Sequence, residues 1–229
     1  MRRRMRVAVH QPNYAPWCGY FAKMFASDAF VFLDDAQLPQ GRSYVSRVKI
    51  AKGRDADQWL TLPVRKGNEA IRDVAFADEP WAEKHRRTLQ HTYAKTPHFA
   101  EAMELVGLLY DEPGSGLADF NIRLITAVAG HLDYEGEFHC ASDHPADLRA
   151  DARIAQLVAE VGGDVYVSGA GGESYQSEAV YAERGVALEV RTYRPVPYDR
   201  SGWDWIGGLS ILDALFHLGR GARDALRYD

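Results

Sequence analysis

The stretch from Val7 to Asp35 constrains the fold more than any other part of this sequence. A short apolar run ends at His10-Gln11, an aromatic and proline-rich bend and a helix-like segment follow, and a second apolar run ends at Asp34-Asp35. The order strand, loop, helix, strand is typical of a βαβ unit. Because ligands of such units bind beyond the carboxyl ends of the strands, we expect a site where the two apolar runs end.

The rest of the chain alternates strand-like and helix-like segments, which predicts an α/β fold. We expect a mainly parallel sheet flanked by helices, with a Rossmann-like start and a largely helical middle segment from about residue 80 to 135. Further strands are predicted at residues 59–64, 70–77, 164–169 and 186–193. Ser210 and Asp213 form a capping-box pattern that predicts the start of the last helix. At 229 residues, the chain fits one α/β domain, residues 1–229.

Charge and cysteine content exclude several classes of function. A net charge of -5 argues against a general nucleic-acid binder. No apolar run approaches the roughly 18 residues that a membrane-spanning helix requires. Cys18 and Cys140 form no CxxC motif and no Cys/His cluster, which is typical of a reducing cytoplasm and predicts no structural zinc. We therefore expect a soluble cytoplasmic protein that acts on a small molecule.

The ends of the two apolar runs carry the candidate catalytic residues. His10 is the candidate general base, because an imidazole accepts protons near neutral pH; the alternative is a histidine that only hydrogen-bonds its loop. Asp34 and Asp35 are candidate carboxylates for orienting the acceptor or the imidazole, although either is equally suited to capping a loop. Gln11 and Tyr14, which follow His10, are candidate substrate-binding residues.

A basic segment after the second run could close over this site. Ser43, Arg47 and Lys49 are its candidate binding residues. In an extended segment Arg47 and Lys49 fall on one face, where they could bind an anionic part of the substrate. A solvated loop face is the alternative.

A glycine-rich turn at residues 168–172, S-G-A-G-G, follows a predicted strand. Turns of this kind expose backbone N–H groups that bind anions at the start of a helix. Ser168, Gly169, Gly171 and the nearby Tyr175 are therefore candidate substrate-binding residues, with a plain tight turn as the alternative. The G-K-[ST] ending of a P-loop is missing.

Cys18 lies in the aromatic bend and is a candidate nucleophile. A thiolate needs a base or a cation nearby, and His10 could serve. A buried cysteine that acts as a small hydrophobic residue is the alternative. The histidines show no metal-ligand spacing, so no metal site is predicted.

Several blocks in order resemble the WbqC-like family. They are H-Q-P-N-Y-x-P-W-x-G-Y-F at residues 10–21, F-V-F-L-D-D-x-Q at 30–37, S-x-x-x-R-x-K-I at 43–50, Y-V-S-G-x-G at 166–171 and L-S-I-L-D-x-L-F at 209–216. The chain departs from the expected pattern at Ser46 and His217, where Asn is expected. Because members occur in pathways for surface polysaccharides or specialised metabolites, the resemblance implies a biosynthetic role on a sugar or an amine.

These observations lead to one preferred function and two alternatives. The preferred function is a transferase that forms an amide or ester by acyl or aminoacyl transfer, with a carrier-bound thioester as a candidate donor. In that scheme the turn at residues 168–172 supports developing negative charge. The alternatives are an ATP-dependent nucleotidyltransferase-like enzyme and a non-catalytic binding or scaffold protein of the same pathway. The sequence does not identify a cofactor.

Overall fold

A five-stranded parallel sheet forms the centre of the protein. The computed structural model describes residues 3–65, 67–172 and 176–227. The strands are β1 (Arg6–His10), β2 (Ala29–Phe32), β3 (Arg47–Ala51), β4 (Asp57–Thr61), β5 (Glu137–Cys140), β6 (Val165–Gly169) and β7 (Ala187–Arg191). The α-helices are α1 (Cys18–Phe25), α2 (Trp81–Tyr93), α3 (Phe99–Asp111), α4 (Leu117–His131), α5 (Ala150–Glu160), α6 (Glu178–Ala182) and α7 (Ile211–Leu218). The expected α/β class, with a βαβ start and a helical middle segment, is confirmed.

The strand order of the sheet is β5-β2-β1-β6-β7. From β1 the chain first builds outward on one side through β2 and β5, then crosses to the other side for β6 and β7. The order therefore reverses between β1 and β6. In open α/β sheets this switch point leaves a crevice beyond the carboxyl ends of the strands, and ligands bind there.

Side chains of β1 pack on both faces of the sheet, because successive residues of a strand point to opposite sides. Val7 and Val9 belong to a core cluster that includes Leu157 and Val158 of α5. Ala8 belongs to a larger cluster formed with the helices of the other face. A strand buried on both faces reads as a continuous apolar run, which is why β1 stands out in the sequence.

A second, two-stranded sheet pairs β3 with β4 in antiparallel register. The expected strand at residues 59–64 corresponds to β4. The strand expected at residues 70–77 is wrong: Ile71–Asp73 forms a 3₁₀ turn. The residues around that turn make isolated bridges to three different segments, so no continuous ladder develops. Strand β5, with exposed Glu137 and Phe138, is not among the strands predicted from the sequence.

The start of α7 is tied to the bend after β1. Ser210 caps the helix as expected, since its Oγ accepts a hydrogen bond from the N–H of Leu212 at 3.2 Å. The same hydroxyl donates to the carbonyl oxygen of Ala15 at 2.6 Å, and the N–H of Ile211 donates to that of Pro16. Asp213 does not complete the capping box, because its carboxylate is bound by other side chains of the core.

Candidate active site

A cleft of about 530 Å³ lies at the switch point of the sheet. The residues that end β1, β6 and β7, namely His10, Gly169 and Arg191, all line it. The cleft therefore lies where the topology predicts a ligand.

His10 contributes a neutral imidazole to this cleft. Its Nδ1 lies 3.1 Å from the carbonyl oxygen of Gln11, which can only accept, so Nδ1 carries the hydrogen and Nε2 the lone pair. The hydroxyl of Tyr20 donates to the same carbonyl, and the two rings lie 4.7 Å apart. Burial, together with the positive charge of Lys23, lowers the pKa of His10 to about 3. The imidazole is thus a hydrogen-bond acceptor at neutral pH.

Lys23 is a cleft residue that sequence analysis missed. Its side chain is buried, and its Nζ donates to the carbonyl oxygen of Val9 at 2.7 Å. Burial lowers the pKa of this ammonium to about 8. A signal was present in the sequence, since Lys23 is the single charged residue among the eight of α1. A lone lysine in an apolar helix can also extend its ammonium to solvent along its apolar stem, so this signal does not by itself predict a ligand site.

The charged side chains that line the cleft, among the residues described, are both cations. Besides Lys23, Arg191 reaches it from the end of β7. Arg191 pairs with Glu189, which also pairs with Arg6. A buried Oε1 of Gln176, another lining residue, has no hydrogen-bond partner among the described residues. The cleft offers a positive environment with an acceptor at its edge, which suits an anionic ligand that also carries a donor.

The glycine-rich turn lines the same cleft as His10. Ser168, Gly169 and Gly171 all face it, as does Gln11. A Cβ placed on Gly169 or Gly171 would meet nothing within 4 Å, and neither residue has a positive φ. Neither packing nor backbone conformation in the described structure therefore requires glycine here, which leaves the close approach of a ligand as a reason. Tyr175, the remaining candidate of this region, lies outside the described residues.

A second cavity of about 390 Å³ adjoins the cleft and shares His10 and Trp17 with it. Tyr14 lines the second cavity, with its hydroxyl bonded to His85 at 2.9 Å and to Tyr110 at 2.7 Å. The Trp17 ring lies against Gly19, where any Cβ would come within 2.5 Å of it. Glycine at position 19 thus allows the ring to lie between the two cavities.

The acidic pair does not share the cleft with His10, contrary to expectation. Asp34 accepts hydrogen bonds from the backbone N–H of Ser142 at 2.9 Å and from its hydroxyl at 2.6 Å. Asp35 pairs with Arg153 at 2.5 Å. Both carboxylates point toward the segment after β5, and neither lines the cleft or the second cavity. Their contacts fit the loop-anchoring alternative.

The basic segment contributes to the site through different residues from those expected. Arg47 and Lys49 do share a face, since both lie over the ring of Trp59 at 3.9 and 5.5 Å. Neither residue lines the second cavity, which Tyr44 and Val48 line instead. Lys49 also pairs with Asp57 at 2.8 Å, and the buried hydroxyl of Ser43 accepts from the N–H of Val45 at 3.1 Å.

Cys18 lies away from His10 in a protonated state. Burial, with the negative charge of Asp213, raises the pKa of its thiol to about 12. The side chain lines neither of the two cavities that His10 lines. These contacts match a small buried hydrophobic residue better than a nucleophile.

Two absences hold for the described part of the chain. Residues 3–65, 67–172 and 176–227 contain no cluster of three His, Cys, Asp or Glu side chains arranged to ligate a metal ion. No helix within these ranges combines the length and the apolar character needed to cross a membrane.

Comparison with known proteins identifies a family and a relative that aligns along almost the whole chain. A family model described as the WbqC-like protein family matches residues 11–225. A Mycobacterium tuberculosis (strain ATCC 25618 / H37Rv) protein named Uncharacterized protein Rv1507c is 32% identical over 231 residues, covering 97% of this chain and 98% of the relative. No solved structure matches.

Proposed function

This chain belongs to the WbqC-like protein family, and on that premise we propose that it is a biosynthetic transferase. It passes an acyl or aminoacyl group to the amine or hydroxyl of an amino-sugar or specialised-metabolite intermediate, which forms an amide or ester. The switch-point cleft is the proposed place of the reaction.

One observation carries this proposal: His10, whose Nε2 has a free lone pair, and Lys23, whose ammonium is buried, line the same cleft. Acyl transfer requires an acceptor for the proton of the attacking group and a donor for the oxygen that becomes negative. Nε2 of His10 suits the first requirement. The ammonium of Lys23 suits the second, since two of its three N–H groups remain after the bond to Val9.

The proposed step starts as the acceptor nitrogen or oxygen attacks the carbonyl carbon of the donor. Its proton moves to Nε2 of His10, while the carbonyl π electrons move to oxygen and Lys23 donates a hydrogen bond to the oxyanion. Collapse of the intermediate restores the carbonyl and breaks the bond to the leaving thiolate, which takes the proton from the imidazolium. The lowered pKa of His10 keeps Nε2 unprotonated at neutral pH, and the negative charge of the oxyanion offsets the burial that disfavours the imidazolium.

The positive charge of the cleft supports a donor with an anionic group. Lys23 and Arg191 both reach the cleft, and a phosphate or carboxylate is their natural partner. A carrier-bound thioester, whose phosphopantetheine arm contains a phosphate, has this chemistry. A carrier protein is therefore the proposed partner.

A thiol-release assay tests the function directly. Acyl and aminoacyl thioesters of N-acetylcysteamine are incubated with glucosamine and the protein, and the freed thiol is measured. We expect His10→Gln to lower the rate about 10²–10⁴-fold and Lys23→Met to lower it about 10²–10³-fold. Lys95→Met removes an exposed lysine outside both cavities and serves as the matched control. Full activity of His10→Gln would contradict the proposal.

A nucleotidyl transfer is the second candidate, and the sheet order favours it. The order β5-β2-β1-β6-β7 corresponds to the 3-2-1-4-5 order of doubly wound folds that bind nucleotides at this switch point. Release of pyrophosphate from ATP, together with an ATP-dependent increase in melting temperature, would select this candidate over acyl transfer.

A further inference from the structure

We propose that the site has two compartments that meet at His10, with an anionic donor in the cleft and an uncharged, ring-bearing acceptor in the second cavity. This inference rests on the proposed transferase function and adds the substrate class of each compartment.

The shared walls place His10 between the two compartments. His10 and Trp17 line both cavities, while the remaining lining residues differ. A group bound on either side can therefore reach the same imidazole. Transfer from one compartment to the other then needs no covalent intermediate, which agrees with the protonated thiol of Cys18 and its absence from both linings.

The two compartments differ in charge. Lys23 and Arg191 line the cleft, whereas the second cavity is lined by no charged residue among those described, and His10 is neutral. Burying an isolated charge in such surroundings is costly, so a charged ligand is favoured in the cleft and disfavoured in the second cavity.

The lining of the second cavity fits a ring with one polar edge. The aromatic rings of Tyr14, Trp17 and Tyr44 form much of its wall, together with Val48. The hydroxyl of Tyr14 is bonded to His85 and Tyr110, so this residue presents its ring rather than its polar end. Asn13 adds an amide beside the imidazole. The walls thus bind an apolar ring face while amide and imidazole bind its polar substituents.

Such a cavity also prepares an amine for attack. A weakly polar environment disfavours the charged form of an amine and lowers its pKa. An amine bound here is therefore held in the neutral form, with its lone pair available and one N–H within reach of Nε2 of His10. The second cavity thus selects the nucleophilic state of the acceptor.

Two probes and histidine NMR test the two compartments without a known substrate. The full chain is labelled with ¹³C-histidine, and the His10 signal is assigned from the His10→Gln spectrum. Inorganic pyrophosphate is the anionic probe and benzamide the neutral ring probe, each added alone and then together. Lys23 lines the cleft but not the second cavity, and Tyr44 lines the second cavity but not the cleft, so Lys23→Met and Tyr44→Ala are compared with Lys95→Met and Leu108→Ala at exposed positions outside both.

We expect each probe to shift the His10 signal and both to bind at once, so that their shifts accumulate. Lys23→Met should weaken pyrophosphate binding at least about tenfold and leave benzamide unchanged, and Tyr44→Ala should do the reverse. Displacement of one probe by the other, loss of both responses in either variant, or no benzamide response in the wild type would overturn the inference. Cumulative binding without thioester turnover would refute the proposed function alone, whereas turnover with displacement would refute the two compartments alone.

Discussion

Arg200 and Lys23 are both buried cations, 1% and 7% exposed, but their partners differ. The guanidinium of Arg200 binds both carboxylate oxygens of Asp213, at 2.9 and 3.0 Å, and donates to the carbonyl of Asp204. Tyr93 donates a further hydrogen bond to the same carboxylate. Lys23 has one carbonyl, that of Val9, and faces a cleft.

This comparison distinguishes Arg200, whose charge has a structural role, from Lys23, whose charge is available to a ligand. A buried ion pair with all its hydrogen bonds satisfied gives its surroundings one fixed arrangement. The buried ammonium of Lys23 has a single acceptor and no carboxylate partner among the described residues, so it retains donors, and burial lowers its pKa. An incoming anion would supply a counter-charge to Lys23, whereas Asp213 already supplies one to Arg200.

The largest effect is expected when the ion pair between Arg200 and Asp213 is broken. Asp213→Asn leaves Arg200 buried without a counter-charge, and we expect the free energy of unfolding to decrease by about 3–5 kcal/mol in urea titrations. The double variant Arg200→Met, Asp213→Leu removes both charges and should recover a large part of this loss. A decrease below about 1 kcal/mol for Asp213→Asn would show that the pair is worth no more than an exposed one.

A smaller effect concerns Lys23 and the pH dependence of stability. The pKa of Lys23 is lowered from 10.5 to about 8 on folding, so between these values the unfolded chain binds more protons than the folded one. Stability of the wild type relative to Lys23→Met should therefore increase with pH across this window, by up to about 3 kcal/mol at 1.36 kcal/mol per pKa unit. Urea unfolding of both proteins at pH 7 and at pH 10.5 measures the change. The same difference at both values would place an ordinary exposed ammonium at position 23.

The smallest effect concerns Cys18, which lies in α1 with Lys23. Burial and the negative charge of Asp213 raise the pKa of its thiol. Because its pKa is raised to about 12, the thiolate is scarce at pH 8. Alkylation by iodoacetamide in the folded protein should be about 10³-fold slower than that of free cysteine, and Cys18→Ala should leave the thioester assay unchanged. Mass spectrometry of the modified peptide follows the reaction. Rapid alkylation with loss of activity would restore the acyl-cysteine route.

The fold and one end of the site could be predicted from sequence because their signals are local. The apolar run before His10 marks a central strand, and the polar residue at its end lies at the switch-point crevice. The glycine turn at residues 168–172 follows the same rule, and it lines the same cleft. Strand β5 escaped prediction because this edge strand is largely exposed and carries polar residues.

The acidic pair and Lys23 could not be predicted because their environments depend on distant segments. Asp34 and Asp35 lie at a strand end, as His10 does, but they contact Ser142 and Arg153, which are 108 and 118 residues away. No local pattern reveals such pairings. Lys23 is one position in an apolar helix, and only the placement of that helix against β1 and the cleft gives it a role.

The bond between Ser210 and Ala15 joins positions 195 residues apart. Gly208, which lies close to Ser210 in the chain, lines the second cavity together with Tyr14 from the loop after β1. Because a chain is synthesised from its amino terminus, every strand of the parallel sheet leaves the ribosome before Gly208 does. A nascent chain that ends before Gly208 therefore lacks one wall of the second cavity.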